Sequence, residues 1–429
     1  MNRSALIFLA FCVGATSMPA RGVENDAESG GLVAFLLDLR VSGVLRSDYF
    51  HSSKNLDSET GFLGATAQIK ALPSLGERFD GKLEARVTNP ALGKGADTEG
   101  RLLEGYVTTH FAKADLRLGK QIVAWGRADG INPTDNLTPR DYTVLLPFEN
   151  DQRFGATAAR LDVFPSPEHT VTLFATPFFE PSEVPLPATG FAFTEVTPER
   201  SLSNTQLGLR LNKVGEGFDW SVSAFRGFSL LPDARLFSSA PTVPILELHY
   251  DRITVLGADF ARNFGRFGFR GEAAYVDTRD DAGTDPGTKN PYLFWIVGVD
   301  RTFFDNLNLN VQFFQRRVQH YQNPEAIADP LERSIAVLNA ILDGQQDRIS
   351  NGISFRISEK WYNDTLEAEV FVVVNGTRHD SFMRPLVSYA FSDHWKGTVG
   401  AEIYRGAVDT QFGGQKKNRG GFTELRYGF

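Results

Sequence analysis

The chain has one cysteine, Cys12, and it lies in an apolar stretch at the very start. The rest of the protein is therefore held together without disulfides. Long apolar runs are also missing: past that opening stretch no run of about 18 apolar residues occurs, which excludes a helical membrane protein. Hardly any segment carries the 3.6-residue period of a helix, and no GxSxG nucleophile elbow is present. No composition break or linker divides the chain, so residues 23-429 read as a single domain.

What is present is dispersed hydrophobicity. Apolar residues make up 42% of the chain, yet they fall mostly at every second position, with 35 phenylalanines and 40 glycines. A strand turns successive side chains to opposite faces, so this alternation marks a sheet with one greasy and one wet side. Phe79, Gly81, Leu83, Ala85 and Val87 alternate with Asp80, Lys82, Glu84, Arg86 and Thr88. Leu366, Ala368, Val370 and Val372 alternate with Glu367, Glu369 and Phe371. The final strand sets Thr423, Leu425, Tyr427 and Phe429 against Glu424, Arg426 and Gly428.

Breaks at Gly, Pro, Asn and Asp divide the pattern into eighteen expected strands: 33-46, 62-72, 79-89, 101-111, 114-125, 153-164, 169-179, 204-213, 218-228, 252-262, 267-277, 292-303, 307-319, 348-358, 365-375, 382-391, 395-405 and 420-429. Sixteen is the alternative count. Short connections alternate with mostly longer ones, the habit of a transmembrane antiparallel up-and-down β-barrel with short periplasmic turns and long external loops. Trp220, Trp361 and Trp395 fall beside expected short turns, where an interfacial aromatic girdle belongs. These features imply the bacterial outer membrane, in contact with its lipid and lipopolysaccharide.

The N-terminus agrees. Arg3, the apolar run Ala5 to Val13 and the small residues Ala15, Thr16 and Ser17 have the layout of a secretory signal over 1-22, cleaved after Ser17 or Gly22. Acylation of Cys12 is the competing reading, but Phe11 occupies a position where lipoproteins carry a small residue. At the other end, Tyr427 and Phe429 form the expected signal to the barrel-assembly machinery.

A barrel of sixteen to eighteen strands is too wide for its own side chains to fill, so a water-filled lumen is expected. Its lining would carry both signs: Lys82, Arg86, Arg117, Arg210, Arg270, Arg316 and Arg356 with Glu84, Glu104, Glu272, Glu367, Glu369 and Glu402. Opposed charges would create a transverse field that sorts permeants. Mutual pairing that merely stabilises the wall is the alternative.

The most distinctive segment runs Gly119-Lys120-Gln121-Ile122-Val123-Ala124-Trp125-Gly126 and on to Ile131-Asn132-Pro133-Thr134-Asp135. It resembles a family of proteobacterial outer-membrane barrels in which a G(K/R)QxVxWG strand end leads into an INPxD loop, and more distantly the alginate-export type of barrel. The resemblance implies an outer-membrane channel. The loop over 126-152 is too long for a simple connector. It is expected to fold inward with Arg127, Asp129, Asp135, Arg140 and Asp141 at a constriction; an external cap held by its own ion pairs is the other possibility. A second insertion, 324-346, reads as a helix, with Leu331, Ile335, Leu338 and Leu342 at helical spacing, Pro330 in the first turn and Asp329 as cap. It would plug the mouth or cover the rim.

Other site chemistry is sparse. Asp277, Asp280, Asp281 and Asp285 crowd one loop without calcium-loop spacing, so no metal is expected, nor any cofactor. Lys416, Lys417 and Arg419 would meet lipopolysaccharide phosphates or only solvent. A formal charge of -8 argues against nucleic acid. The leading expectation is a porin-like channel for small hydrophilic or charged solutes. Alternatives are an export conduit for a polymer or hydrophobic molecule working with an inner-membrane exporter, a barrel hydrolase using His379 with Asp380 or His249 with Asp251, and a structural or adhesive barrel. The hydrolase lacks a second carboxylate pair, and His110, His169 and His394 fall near the periplasmic end.

Overall fold

The computed structural model describes residues 39-429 except 57-58, 75, 94, 145-148, 187-189, 239-242, 281 and 305. The expected leader, including Cys12, lies outside the described residues. Eighteen strands form the wall: β1 (Ser42–Leu56), β2 (Glu59–Ala71), β3 (Phe79–Asn89), β4 (Glu99–Phe111), β5 (Ala114–Gln121), β6 (Ala156–Ser166), β7 (His169–Thr176), β9 (Gln206–Lys213), β10 (Asp219–Phe228), β13 (Arg252–Phe264), β14 (Phe267–Asp277), β15 (Tyr292–Phe303), β16 (Leu307–Val318), β17 (Ile349–Trp361), β18 (Leu366–Asn375), β19 (Asp380–Ala390), β20 (Trp395–Arg405) and β21 (Gly420–Gly428). Three shorter strands, β8 (Ala192–Val196), β11 (Asp233–Ser238) and β12 (Ile245–His249), form a separate sheet.

Each wall strand pairs antiparallel with the next, and β21 pairs antiparallel with β1 to close the ring. Closure leaves no open edge, so the backbone satisfies its own hydrogen bonds within a bilayer. Phe429 completes the seam, exchanging backbone bonds with Gly43 at 2.8 and 3.0 Å while its ring lies over the bare Gly43 α-carbon.

The wall is inside out relative to a soluble protein. Tyr49 is 46% exposed, whereas its neighbour Asp48 is 3% exposed. Leu118, Val222, Leu256, Ile353 and Val399 face outward and exposed, while Thr108, Ser221, Asp259, Gln312, Ser354 and Thr398 are buried on the inner side. Only a solvent of lipid rewards that arrangement, which makes the chain a transmembrane β-barrel. No helix among the described residues is long and apolar enough to cross a membrane.

Two strands depart from the sequence expectation by more than three residues at an end. The first strand is β1 at Ser42–Leu56, not 33-46: a turn at Leu39 and Arg40, the latter at φ +47°, precedes it. Asp48 and Ser52 resemble turn residues in sequence but, like Arg46, are inward-facing members of an alternation with Leu45, Ser47 and Tyr49. The fifth strand stops at Gln121, so Val123 and Trp125 belong to the following loop.

The small sheet was not anticipated. Its strands are short, and β8 pairs with β12 in parallel from 53 residues away, which no local pattern announces. Helix α1 (Pro330–Asp343) packs on it, burying Ile335 against Ala234, Leu246 and Leu248. The helix starts as its sequence dictates: the Asp329 side chain accepts from the Leu331 and Glu332 amides at 2.8 and 2.9 Å, with Pro330 in the first turn. The Asn339 amide accepts from Ala234 N at 2.7 Å and donates to Ala234 O at 2.9 Å, pairing the helix to β11. Sheet and helix form a cap at the long-loop end.

Candidate functional site

The connection between β5 and β6, residues 122-155, enters the barrel rather than standing above it. Its outgoing arm is fixed by apolar contact. Val123, Trp125 and Leu137 pack on Ala158, Phe174, Phe225, Ile253, Val255, Ala274 and Val276, all on the inner side of β6 to β14. Gly208 on β9 leaves room for the indole, since a β-carbon there would come within 3.0 Å of Trp125 Cη2. In these strands the inner face turns apolar near the long-loop end, as at Ile253 and Val255 on β13, where the loop covers it.

Polar contacts then set the path. Glu272 on β14 accepts from Thr134 N at 2.6 Å, Thr134 Oγ1 at 2.8 Å, Arg127 N at 3.1 Å and Asn132 Nδ2 at 3.4 Å. The backbone can approach this carboxylate because residue 126 is glycine at φ +104°; a β-carbon there would collide with Glu272. Further along, Asp129 N donates to Gln312 Oε1 at 3.0 Å and Gln312 Nε2 donates back to Asp129 O at 2.7 Å. Asp129 Oδ2 accepts from Arg356 Nε at 2.9 Å, and Arg356 also holds Glu369 at 2.8 Å. Ala128 and Ile131 meet a second inner apolar group, Ile296, Phe314, Phe371 and Val373.

The returning arm lies against the other wall. Asp151 accepts from Arg46 on β1 at 2.6 Å and stands 3.9 Å from Arg86 on β3. Asp141 is 3.4 Å from Arg101 on β4. The same Arg101 bonds Glu183 at 2.5 Å, a carboxyl that burial and the neighbouring Asp141 push above the usual carboxylate range.

The five loop residues singled out in the sequence thus occupy different places. Arg127 bonds Asn212 Oδ1 at 2.7 Å and pairs with Asp259. Asp135, almost completely buried, accepts from Arg140 at 2.8 Å and Arg153 at 2.6 Å. Asp141 also takes two bonds from Thr143, at 2.9 and 2.6 Å. Only Asp129 and Arg140 border the open space described below.

The thirteen wall residues are on the inner side, each engaged by a neighbour. Lys82 bridges Glu84, at 2.6 Å, and Glu104. Arg117 lies 4.3 Å from the Tyr106 ring centroid, Arg210 bonds Asp259 at 3.0 Å, and Arg270 bonds Asp300 at 2.7 Å. Arg316 reaches the Asp343 carbonyl at the end of α1. Glu367 is 3.6 Å from Lys396, and Glu402 accepts from Tyr404 at 2.9 Å.

Beside the loop tip a cavity of about 540 Å³ remains between residues 128-132 and strands β17 to β20. Arg140, Arg153, Arg356, Arg384 and Lys396 border it together with Asp129, Glu367 and Glu369. Sequence reading passed over Arg153, Arg384 and Lys396; the alternation of β19 and β20 marks the last two as inward.

Residues 88-412 match the family described as a protein of unknown function, DUF1302. The chain belongs to this family. The Gly119–Asp135 segment lies within the matched stretch. No curated protein matches the sequence. Similar solved structures include OccAB4 of Acinetobacter baumannii, with 11% identity and a TM-score of 0.54, covering 91% of this chain and 97% of that one. OpdK of Pseudomonas aeruginosa, solved with vanillate, gives 9% identity and a TM-score of 0.54 over 91% of this chain and 98% of that one. OccK11 (OpdR) of P. aeruginosa gives 9% and 0.52 over 91% and 95%. At this identity the likeness is one of fold.

The histidines weighed for hydrolysis are differently placed. Asp380 accepts from Phe412 N at 2.7 Å, and Asp251 is held by Arg235 and by Thr288 at 3.3 Å. Both carboxylates are engaged away from the histidines beside them in sequence. Asp280 and Asp285 form a turn, Asp285 N donating to Asp280 Oδ2 at 2.9 Å; Asp281 lies outside the described residues. Lys416 and Lys417 sit in a short 3₁₀ turn ahead of β21.

Proposed function

We propose that this DUF1302 protein is an outer-membrane channel of a Gram-negative bacterium through which small polar and charged solutes diffuse, narrowed by the 122-155 loop. The observation that carries the reading is the polar cavity between the loop tip and β17 to β20, beside a segment pinned to both walls. On this reading Asp129, Arg140, Arg153, Arg356 and Arg384 are in contact with permeants, while Arg127, Asp135 and Asp141 hold the loop in place. The remaining inner charges, Lys82, Glu84, Arg86, Glu104, Arg117, Arg210, Arg270, Glu272, Arg316 and Glu402, stabilise the wall and set its field.

Five cationic and three anionic side chains line that cavity. In a narrow, low-dielectric opening such an excess favours anions, so the proposed permeants are small anionic solutes. The porin fold supports passive passage, and the inside-out wall supports the outer membrane. Tyr427 and Phe429, at the closing seam, are proposed as the element recognised by the barrel-assembly machinery.

The test is reversal potential in a planar bilayer under a tenfold KCl gradient. A potential displaced toward that of chloride is the expected result. A displacement toward that of potassium overturns the anion preference, and absence of conductance overturns the channel.

A further inference from the structure

On the outer surface, at the long-loop end of β15 to β17, an open groove of about 650 Å³ is bordered by Leu293, Arg317, His320, Tyr321 and Arg348. Arg317 is on the lipid-facing side: it shares its face of β16 with the exposed Val311 and Phe313, and its cross-strand partners Leu293 and Ile349 also point outward. Outward positions up this strand read Leu307, Leu309, Val311, Phe313, Gln315 and Arg317, apolar until the last two. Ten residues at roughly 3.3 Å each, on a strand tilted by about 40°, climb about 25 Å, the height of a barrel's apolar band. Arg317 therefore emerges where hydrocarbon gives way to head groups.

Among the described residues, neither Arg317 nor Arg348 has a side-chain hydrogen bond, ion pair or ring contact, although most arginines of the wall are paired. Tyr321 is tied down, donating to Gln346 O at 2.7 Å. The floor is apolar at Leu293, and the upper edge is cationic. An acyl chain fits the first and a phosphate the second, because guanidinium donates a planar pair of charge-assisted bonds to phosphate oxygens.

We propose that this groove holds a phosphorylated lipid A moiety of outer-leaflet lipopolysaccharide, with Arg317 and Arg348 on one phosphate and an acyl chain against Leu293. The proposal rests on the outer-membrane placement above but not on conduction. It assigns lipid recognition to the wall, whereas Lys416 and Lys417 lie in a loop.

Native mass spectrometry of the purified full-length barrel, titrated with bisphosphorylated lipid A, tests it. The wild type is expected to hold one lipid A more tightly than R317A/R348A by about tenfold or more, the loss expected for two charge-assisted contacts. Dephosphorylated lipid A should bind the wild type no better than lipid A binds the variant, and inorganic phosphate should not displace the lipid. Equal binding by wild type and variant overturns the proposal, as does equal binding of dephosphorylated lipid. Displacement by inorganic phosphate would reassign the site to a free anion. Heat-modifiable gel mobility, expected to be unchanged in the variant, shows that its barrel is intact whether or not it conducts, and so separates this test from that of the channel.

Discussion

Asp129 Oδ2 lies 2.9 Å from Arg356 Nε, joining the tip of the inward loop to β17, nine strands round from β5 in a ring of eighteen. The pair therefore closes a strut across the full bore. Removing either partner breaks the contact, so Asp129→Ala, Arg356→Ala and the double variant should release the tip to the same extent, although Arg356→Ala also takes the partner from Glu369. Both side chains are only partly buried, which limits the link to about 1 kcal/mol, or roughly a fivefold rise in the released population. Single-channel recordings check this through the frequency of conductance transitions; additive effects of the two substitutions would show that they act separately.

The arm leading to that tip depends on Trp125. Trp125→Ala removes the largest side chain between loop and wall, a change that costs roughly 3-5 kcal/mol in a packed interior. The ladder of the barrel does not include this residue, so the wall should persist while the loop loosens. Proteolysis with an externally added protease is expected to cut within 122-155 in the variant and not in the wild type.

Strands were legible in the sequence wherever inward polar residues alternated with outward apolar ones, and β3 begins and ends where that alternation does. β1 was legible only at its start, because Asp48 and Ser52 carry the side chains of a turn and only the closed ring reveals that they point inward. The loop's unusual composition was visible, but its partners were not. Glu272 lies 138 residues from Thr134 and looks in sequence like any other inward carboxylate. Arg153 reaches Asp135 only because the loop doubles back. The β8, β11 and β12 sheet was missed for a related reason: its pairing is nonlocal and its strands are five or six residues long.

The cap offers a pH test. Lys289 is buried between Asp343, at 2.5 Å, and Asp233, at 3.5 Å. Burial and the nearby Asp343 raise the Asp233 carboxyl well above its ordinary range, while the two aspartates outweigh burial and raise Lys289. A raised folded-state value means the group adds stability below its unfolded pKa and loses it as pH climbs through the folded one. Lys289→Met leaves Asp233 buried without its cation, a loss of roughly 3-5 kcal/mol at neutral pH. Acidification toward pH 4, which protonates Asp233, should restore much of it. Hydrogen exchange in 233-249 and 330-343 should therefore be fast in the variant at pH 7 and slower, after correction for intrinsic rates, at pH 4. Equal protection at both pH values would refute the coupling.

Phe429 ends the chain on the seam beside Gly43. Deleting it removes two backbone bonds to Gly43 and the ring over that glycine. If this strand is what the assembly machinery recognises, the truncated protein should reach the outer membrane at a small fraction of the wild-type level, while refolding in detergent micelles proceeds. Heat-modifiable gel mobility distinguishes the two outcomes, and normal membrane levels would remove the assembly role.

On the proposed reading the 122-155 loop, held at Glu272, Gln312 and Arg356, sets the width of the water path. Single-channel conductance of a variant lacking residues 129-142, in protein whose gel mobility shows an intact barrel, measures this directly. A severalfold larger conductance is expected; a value equal to that of the wild type would show that the loop does not narrow the path.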